Sequence, residues 1–363
     1  MTEKMSGLSL DFIIHPGETI KEVLEEKQMN QEELAIRTGF SPKHISEVVN
    51  GKKGISPSFA KSLEYVLGMP ASFWMNLQGI YDRELLEYKE RVEIDEKEIS
   101  IVRTLKKVIK YAEKLGFINK NESEISQIIE LRNICNVNNL TYINKLYTNA
   151  VAFRKSSTIE TNIYILFVWI RICELNAERN DTTTIDFNEE KLRACIDEIK
   201  KCMFLEVNNA IKTLTEIFAK CGIIFQVVEN FTGAPVQGFI KKYNNKIILS
   251  MTIRGAFADI FWFTLFHEIG HLLNGDIVSN NFIDFADSKS DMENCADEFA
   301  KNVLINEEDF KKFIIKENIT DSDIINFAQA QNVQPFIVVG RIQKEKSNFK
   351  LFSKFKVKYK WKI

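Results

Sequence analysis

The pentapeptide His267-Glu268-Ile269-Gly270-His271 lies in an otherwise apolar run, FWFTLFHEIGHLLNG, over residues 261–275. Such a run predicts a buried helix that stops at Gly275. On a helix, spacing i, i+4 sets both imidazoles on one face, where they converge on a single ion. The chain has only four histidines, and two of them stand here. A greasy helix gains nothing from two histidines and a glutamate crowded together unless they bind something. Glu268 lies about 100° round the helix from His267, placed to reach a metal-polarised water rather than the metal. The expectation is one zinc ion per chain, with His267 and His271 as ligands and Glu268 as general base.

A hydrolytic zinc needs a third protein ligand and one open position. No histidine follows His271, so a carboxylate is the natural remainder. The next helical segment, near 290–304, offers Glu293 and Asp297 four apart on one face. Glu293 is expected as the ligand. Asp297, one turn on, is expected to accept a ring N–H from a ligating histidine. Cys295 has ligand chemistry but points to another face of that helix.

Around this motif the hydrophobic period changes. IIFQVVE from residue 223 reads as a strand, and VQGFIKK and KIILS on either side of Tyr243-Asn244-Asn245 read as an antiparallel hairpin. The edge of Lys246–Ser250 is expected to be open to an extended peptide. The tail from Phe355 to Lys362 alternates apolar residues with lysine, which predicts a half-buried strand with a charged outer face. Segments near 96–115, 122–133, 158–178, 188–200 and 204–221 carry helical apolar spacing without recognisable chemistry.

Composition narrows the class. The chain is 45% hydrophobic with 27 phenylalanines, too much apolar surface for disorder. A formal net charge of −2 excludes a polybasic nucleic-acid coat. The most apolar stretch, Ile163–Ile170, is far too short to span a bilayer. Residues 1–30 lack a signal-peptide pattern, and six cysteines without a C-x-x-C pair suggest free thiols. Cytoplasmic localisation without a membrane partner is the expectation.

Residues 17–80 read as short, well-punctuated helices. Asn30 caps one that stops at Gly39, and Ser41-Pro42 restarts helix at once. Asn50-Gly51 ends that helix, Ser56-Pro57 opens the next, and Pro70 opens a fifth. Residues 31–50 have helix-turn-helix form, with Leu34, Ala35, Ile45 and Val48 packing the pair. Ser41, Lys43, His44 and Ser46 would line the start of the second helix and meet phosphates and base edges, assisted by Lys52 and Lys53. Three domains follow: a five-helix helix-turn-helix domain over 1–84, a helical connecting region over 85–203, and a zincin-like domain over 204–363. The fold class is mainly α (α+β), with a small antiparallel sheet beside the H-E-x-x-H helix.

The stretch from Gly238 to Ala300, with KIILS, DIFWFTLFHEIGHLLNGD and ENCADEFA, resembles the ImmA/IrrE family of zinc metallopeptidases. That family joins H-E-x-x-H to a glutamate in a following helix bearing a signature that here reads Ala296-Asp297-Glu298-Phe299-Ala300. The resemblance implies Glu293 as third ligand. Residues 15–82, with NGKKGISP and FWMNLQ, are similar to HigA-type antitoxins, a branch of the Xre helix-turn-helix regulators. That resemblance implies a homodimer that binds operator DNA. The joint expectation is a DNA-binding regulator whose zinc-dependent endopeptidase domain cleaves a repressor, a toxin or its own chain. The alternative is a non-proteolytic HigA-like antitoxin or repressor with a structural or sensory zincin-like domain.

Overall fold

The computed structural model describes residues 9–150, 161–234, 236–252, 257–276, 281–285 and 291–359. The chain divides into two compact units, 1–96 and 97–363. Among the described residues, no helix is long and apolar enough to cross a membrane.

The first unit holds α1 (Pro16–Glu26), α2 (Gln31–Thr38), α3 (Pro42–Val49), α4 (Pro57–Leu67) and α5 (Ala71–Val92). Side chains start these helices where the sequence places them. His15 Nδ1 accepts from Gly17 N, Asn30 from Glu33 N, Ser41 from His44 N and Ser56 from Phe59 N. Each such cap contributes about 1 kcal/mol. Gly39 and Gly68 close α2 and α4 at φ +74° and +85°. Ile20, Leu34, Ile45, Val48, Phe59, Leu63 and Trp74 form the core. Gln78 ties α5 to the turn after α3, since its Oε1 accepts from Ile55 N at 2.7 Å.

In the second unit come α6 (Glu96–Thr104), α7 (Lys106–Leu115), α8 (Glu124–Cys135), α9 (Ile143–Ala150), α10 (Ile163–Arg179), α11 (Glu189–Ala194), α12 (Ile196–Lys201) and α13 (Val207–Ala219). Then follow β1 (Ile223–Val228), β2 (Val236–Tyr243), β3 (Lys246–Thr252), α14 (Ala258–Leu273) and β4 (Asn281–Phe285). The unit finishes with α15 (Asp291–Leu304), α16 (Glu307–Ile314), α17 (Asp321–Ala330) and α18 (Pro335–Glu345).

The sheet order is β1-β3-β2-β4. It is mixed, not wholly antiparallel as expected: β2 pairs antiparallel with β3 and β4, and β1 pairs parallel with β3. β3 is therefore central, and the open edge expected at Lys246–Ser250 does not exist. Its residues Ile247 to Thr252 are buried without alternation, which is how a strand covered on both faces reads.

Side chains alternate between two helical layers. Ile223, Phe225, Ile240, Leu249 and Met251 join the core built with α13 and α14. Phe239 meets Trp169 of α10 on the other face, where Gln226 Nε2 also donates to the Cys173 carbonyl. α10, which falls within the expected connecting region, thus packs against the sheet.

Up to Tyr359, the last described residue, the tail does not form the expected regular strand. Residues 353–355 make a 3-10 turn, and a single bridge joins Phe257 to Lys358. Its anchors are side chains: Trp262 Nε1 donates to Tyr359 Oη at 2.7 Å, and Lys356 pairs with Asp259. Lys360, Trp361 and Lys362 lie outside the described residues.

Candidate metal centre and helix-turn-helix face

The run from 258 to 273 forms one helix, α14, in which His267, Glu268 and His271 are all buried. Gly270 lets α15 approach closely, since a Cβ built there would stand 3.0 Å from Ala296 Cα and 3.3 Å from its Cβ. This contact sets the first turn of α15, and with it Glu293, over the two imidazoles.

The three inward atoms form a small triangle. His271 Nε2 lies 3.0 Å from His267 Nε2, and Glu293 Oε2 lies 3.2 Å from His267 Nε2 and 3.4 Å from His271 Nε2. Ligands about 2.0–2.1 Å from a tetrahedral ion are separated by about 3.3 Å, so the edges match such a site on three of its four corners. His267, His271 and Glu293 are the one group among the described residues that could hold a metal ion in this way.

Both rings are held from behind. His267 Nδ1 lies 2.9 Å from Asp297 Oδ1, and His271 Nδ1 lies 2.8 Å from Asp276 Oδ2. An ionised carboxylate only accepts, so each Nδ1 carries the proton. That tautomer aims the Nε2 lone pairs inward, at each other and at a carboxylate oxygen. In the metal-free protein burial works against the charge on Glu293, but protons shared onto the two Nε2 atoms outweigh it and pull its carboxyl down to about 2; a bound cation would take the place of those protons. Three electron-pair atoms this close require a positive charge between them, which is the chemistry of a cation site. Burial likewise opposes ionisation of Asp297, and His267 and Lys344 hold it below its ordinary value.

Asp276 was not singled out in the sequence. Gly275, at φ +70°, turns the chain back so that Asp276 N bonds the His271 carbonyl and the side chain reaches the ring. An acid just past a glycine stop, one turn from a ligand, was the available signal. Glu268 is fully buried and lies against Gly238 of β2. Gly238 carries a sequence signal of its own, since an isolated glycine within a strand pattern marks close approach. Cys295 is exposed and faces away from this cluster, as its place on the helix predicts.

On the first unit, Ser41, Lys43, Lys52 and Lys53 are exposed and Ser46 is half-buried. Lys43 faces Glu47 only loosely, at 3.9 Å. His44 differs from the other expected contact residues. Its ring stands 4.7 Å from that of Phe40 and 5.0 Å from that of Phe59, and its Nε2 is buried. Burial lowers its basicity, and Lys53 lowers it further. The side chain serves as a packing aromatic at the start of α3.

Comparison with known proteins agrees with both units. Residues 20–74 match the helix-turn-helix family, and residues 260–342 match a peptidase family described as the IrrE N-terminal-like domain. Virulence-associated protein I of Dichelobacter nodosus is 35% identical over 75 residues, covering 20% of this chain and 69% of that protein. The uncharacterised HTH-type transcriptional regulator YddM of Escherichia coli is 30% identical over 79 residues, covering 22% of this chain and 82% of its own length. Among solved structures, a putative antidote protein of a plasmid maintenance system from Nostoc punctiforme is 36% identical, with 22% of this chain and 90% of that chain covered and a TM-score of 0.21. Pseudomonas aeruginosa antitoxin HigA, solved with the higBA promoter, is 34% identical, with 21% and 82% covered and a TM-score of 0.20. The chain belongs to the Xre-type helix-turn-helix regulators through its first unit and carries an IrrE-like peptidase-family domain in its second.

Proposed function

We propose that this protein is a cytoplasmic operator-binding regulator whose second unit is a zinc-dependent endopeptidase acting on a regulatory protein or on its own chain. The observation that carries the hydrolytic half is the triangle of His267 Nε2, His271 Nε2 and Glu293 Oε2, with both outer ring nitrogens committed to carboxylates. A zinc ion held by these three residues would acidify a water and polarise a peptide carbonyl. Glu268 takes the proton of the attacking water and passes it to the departing amine. Asp276 and Asp297 keep the rings in the ligating tautomer. The low basicity of Glu293 keeps it anionic at neutral pH.

The DNA half rests on the helix-turn-helix match and on the exposed Ser41, Lys43, Lys52 and Lys53 at α3 and the turn after it. Ser46 adds a hydroxyl on α3, and a homodimer would present two such faces to one operator. The proposed working parts are 1–84 for DNA and 204–363 for hydrolysis, the latter with α10 of the 85–203 region packed on its sheet.

The test pairs metal analysis with digestion. Purified chain should hold one zinc, lost on His271→Ala, and should cut candidate repressors, toxins or itself. Glu268→Gln should keep the zinc and cut nothing. Zinc-loaded protein that leaves every partner intact, indistinguishably from Glu268→Gln, rejects the peptidase reading. Repression that survives Glu268→Gln but fails on Lys43→Ala would instead identify a non-proteolytic repressor with a structural or sensory zinc domain.

A further inference from the structure

The geometry points to Gly238 as a positioning residue for the Glu268 carboxylate: we propose that the bare Cα of this strand glycine is the seat on which the general base rests. The inference builds on the hydrolytic reading above and adds a residue outside both helices of the metal centre.

β2 sends Ile240 and Gly238 toward α14, while Phe239 and Lys241 point to the α10 side. A Cβ placed on Gly238 would overlap the Oε1 and Cδ of Glu268 and stand 2.7 Å from its Cγ. All three nearest atoms belong to that one side chain. The space a side chain would fill on the strand is therefore the space the carboxylate occupies. Glycine weakens a strand interior, and its recurrent reason is close approach of another group.

The strand is also fixed where it meets the helix. The pairing of β2 with β4 shifts register between Val236 and Gly238, a bulge of the kind that re-aims side chains beside functional sites. Gln237, at that bulge, accepts from Thr264 Oγ1 at 3.1 Å, one helical turn before Glu268. The carbonyl of Val236 accepts from Thr252 Oγ1 at 2.7 Å. β2 is pinned to α14 and to β3 in the two residues just before Gly238, so a methyl group on Gly238 displaces the Glu268 side chain more readily than it displaces β2. A shift of about 1 Å in a reacting group costs on the order of a hundredfold in rate.

Two measurements on the full chain test this. The first needs neither metal nor substrate. Gly238→Ala, Glu268→Ala and the double variant are melted in chelator. Gly238→Ala should lower the melting temperature of the second unit by about 5 °C in the parent and by less than about 1 °C beside Glu268→Ala. Equal shifts in both backgrounds overturn the proposal. The second uses zinc-loaded protein and acetohydroxamate, whose hydroxyl proton goes to the base carboxylate. Gly238→Ala should weaken hydroxamate binding about tenfold, as Glu268→Gln does, with zinc affinity unchanged. Parent-like hydroxamate affinity in Gly238→Ala also overturns the proposal. Equal hydroxamate binding by parent and Glu268→Gln would reject the peptidase reading instead, and the melting cycle would still decide the role of Gly238.

Discussion

Asp276 and Asp297 hold the two imidazoles from behind, but in different surroundings. The Asp276 side chain is 10% exposed, while that of Asp297 is 32% exposed and also faces Lys301 and Lys344 at 4.0 and 3.8 Å. Loss of a carboxylate behind a ligating histidine costs about 10–100-fold in metal affinity. Asp276→Asn should therefore fall near the upper end of that range and Asp297→Asn near the lower, as measured by competition with a chromophoric zinc chelator. Equal losses would show that burial of the partner does not matter here. On the first unit, the packed ring of His44 sets it apart from Lys43, Lys52 and Lys53. His44→Phe should leave operator affinity within about threefold of the parent. Each Lys→Ala should weaken binding to all sequences alike and reduce the salt slope by about one. A gel-shift titration across salt concentrations distinguishes these outcomes, and a collapse of specificity in His44→Phe would return that residue to the DNA face.

Between elements, the contact of α14 with α15 turns a motif into a site. Gly270 and Ala296 let the two helix backbones approach, and Glu293 reaches the histidines only because they do. Gly270→Val keeps every ligand and fills that gap. It should cost about 1–3 kcal/mol by overpacking and should also abolish stoichiometric zinc binding, read by metal analysis beside a thermal melt. Full zinc content would mean that α15 can shift without losing Glu293. This coupling also explains what could be read from the sequence. His267, Glu268, His271, Glu293 and Asp297 were legible because helical spacing alone puts i and i+4 on one face. The caps at Asn30, Ser41 and Ser56 were legible because they act within a few residues. Gly238 and Asp276 escaped because their roles depend on a strand crossing a helix and on a chain reversal, and neither leaves a period. The parallel pairing of β1 with β3 escaped for a related reason: residues 223–228 and 247–252 are each apolar enough for a central position, and their order in the sheet is decided by packing against α10 and α14. The lysine alternation of the tail suggested a strand, yet one bridge and the Trp262–Tyr359 hydrogen bond suffice to hold it.

Across the whole molecule, the two units carry different titratable burdens. Residues 1–96 contain no cysteine, while all six lie beyond residue 97. Burial pushes the Cys135 thiol up to about 12 and the Cys202 thiol to about 11, from an ordinary value of 9.0. Their unfolded forms ionise first as pH rises, so the stability they contribute is complete below about pH 9 and is lost toward their folded values. The histidines of the first unit act in the other direction. Burial lowers His44, and it lowers His15 against the opposing pull of Asp82. Their unfolded forms bind protons first as pH falls, so the stability they contribute is complete above about pH 6.5 and is lost on acidification. In metal-free protein, calorimetry should show the second unit's transition falling between about pH 9 and 11, and Cys135→Ala should flatten part of that fall. The first unit's transition should fall as pH drops below about 6.5, and His44→Phe should flatten it, since phenylalanine keeps the contacts with Phe40 and Phe59 without a proton to bind. A first-unit transition equally acid-sensitive in parent and His44→Phe would show that the ring between those phenylalanines is not what resists protonation.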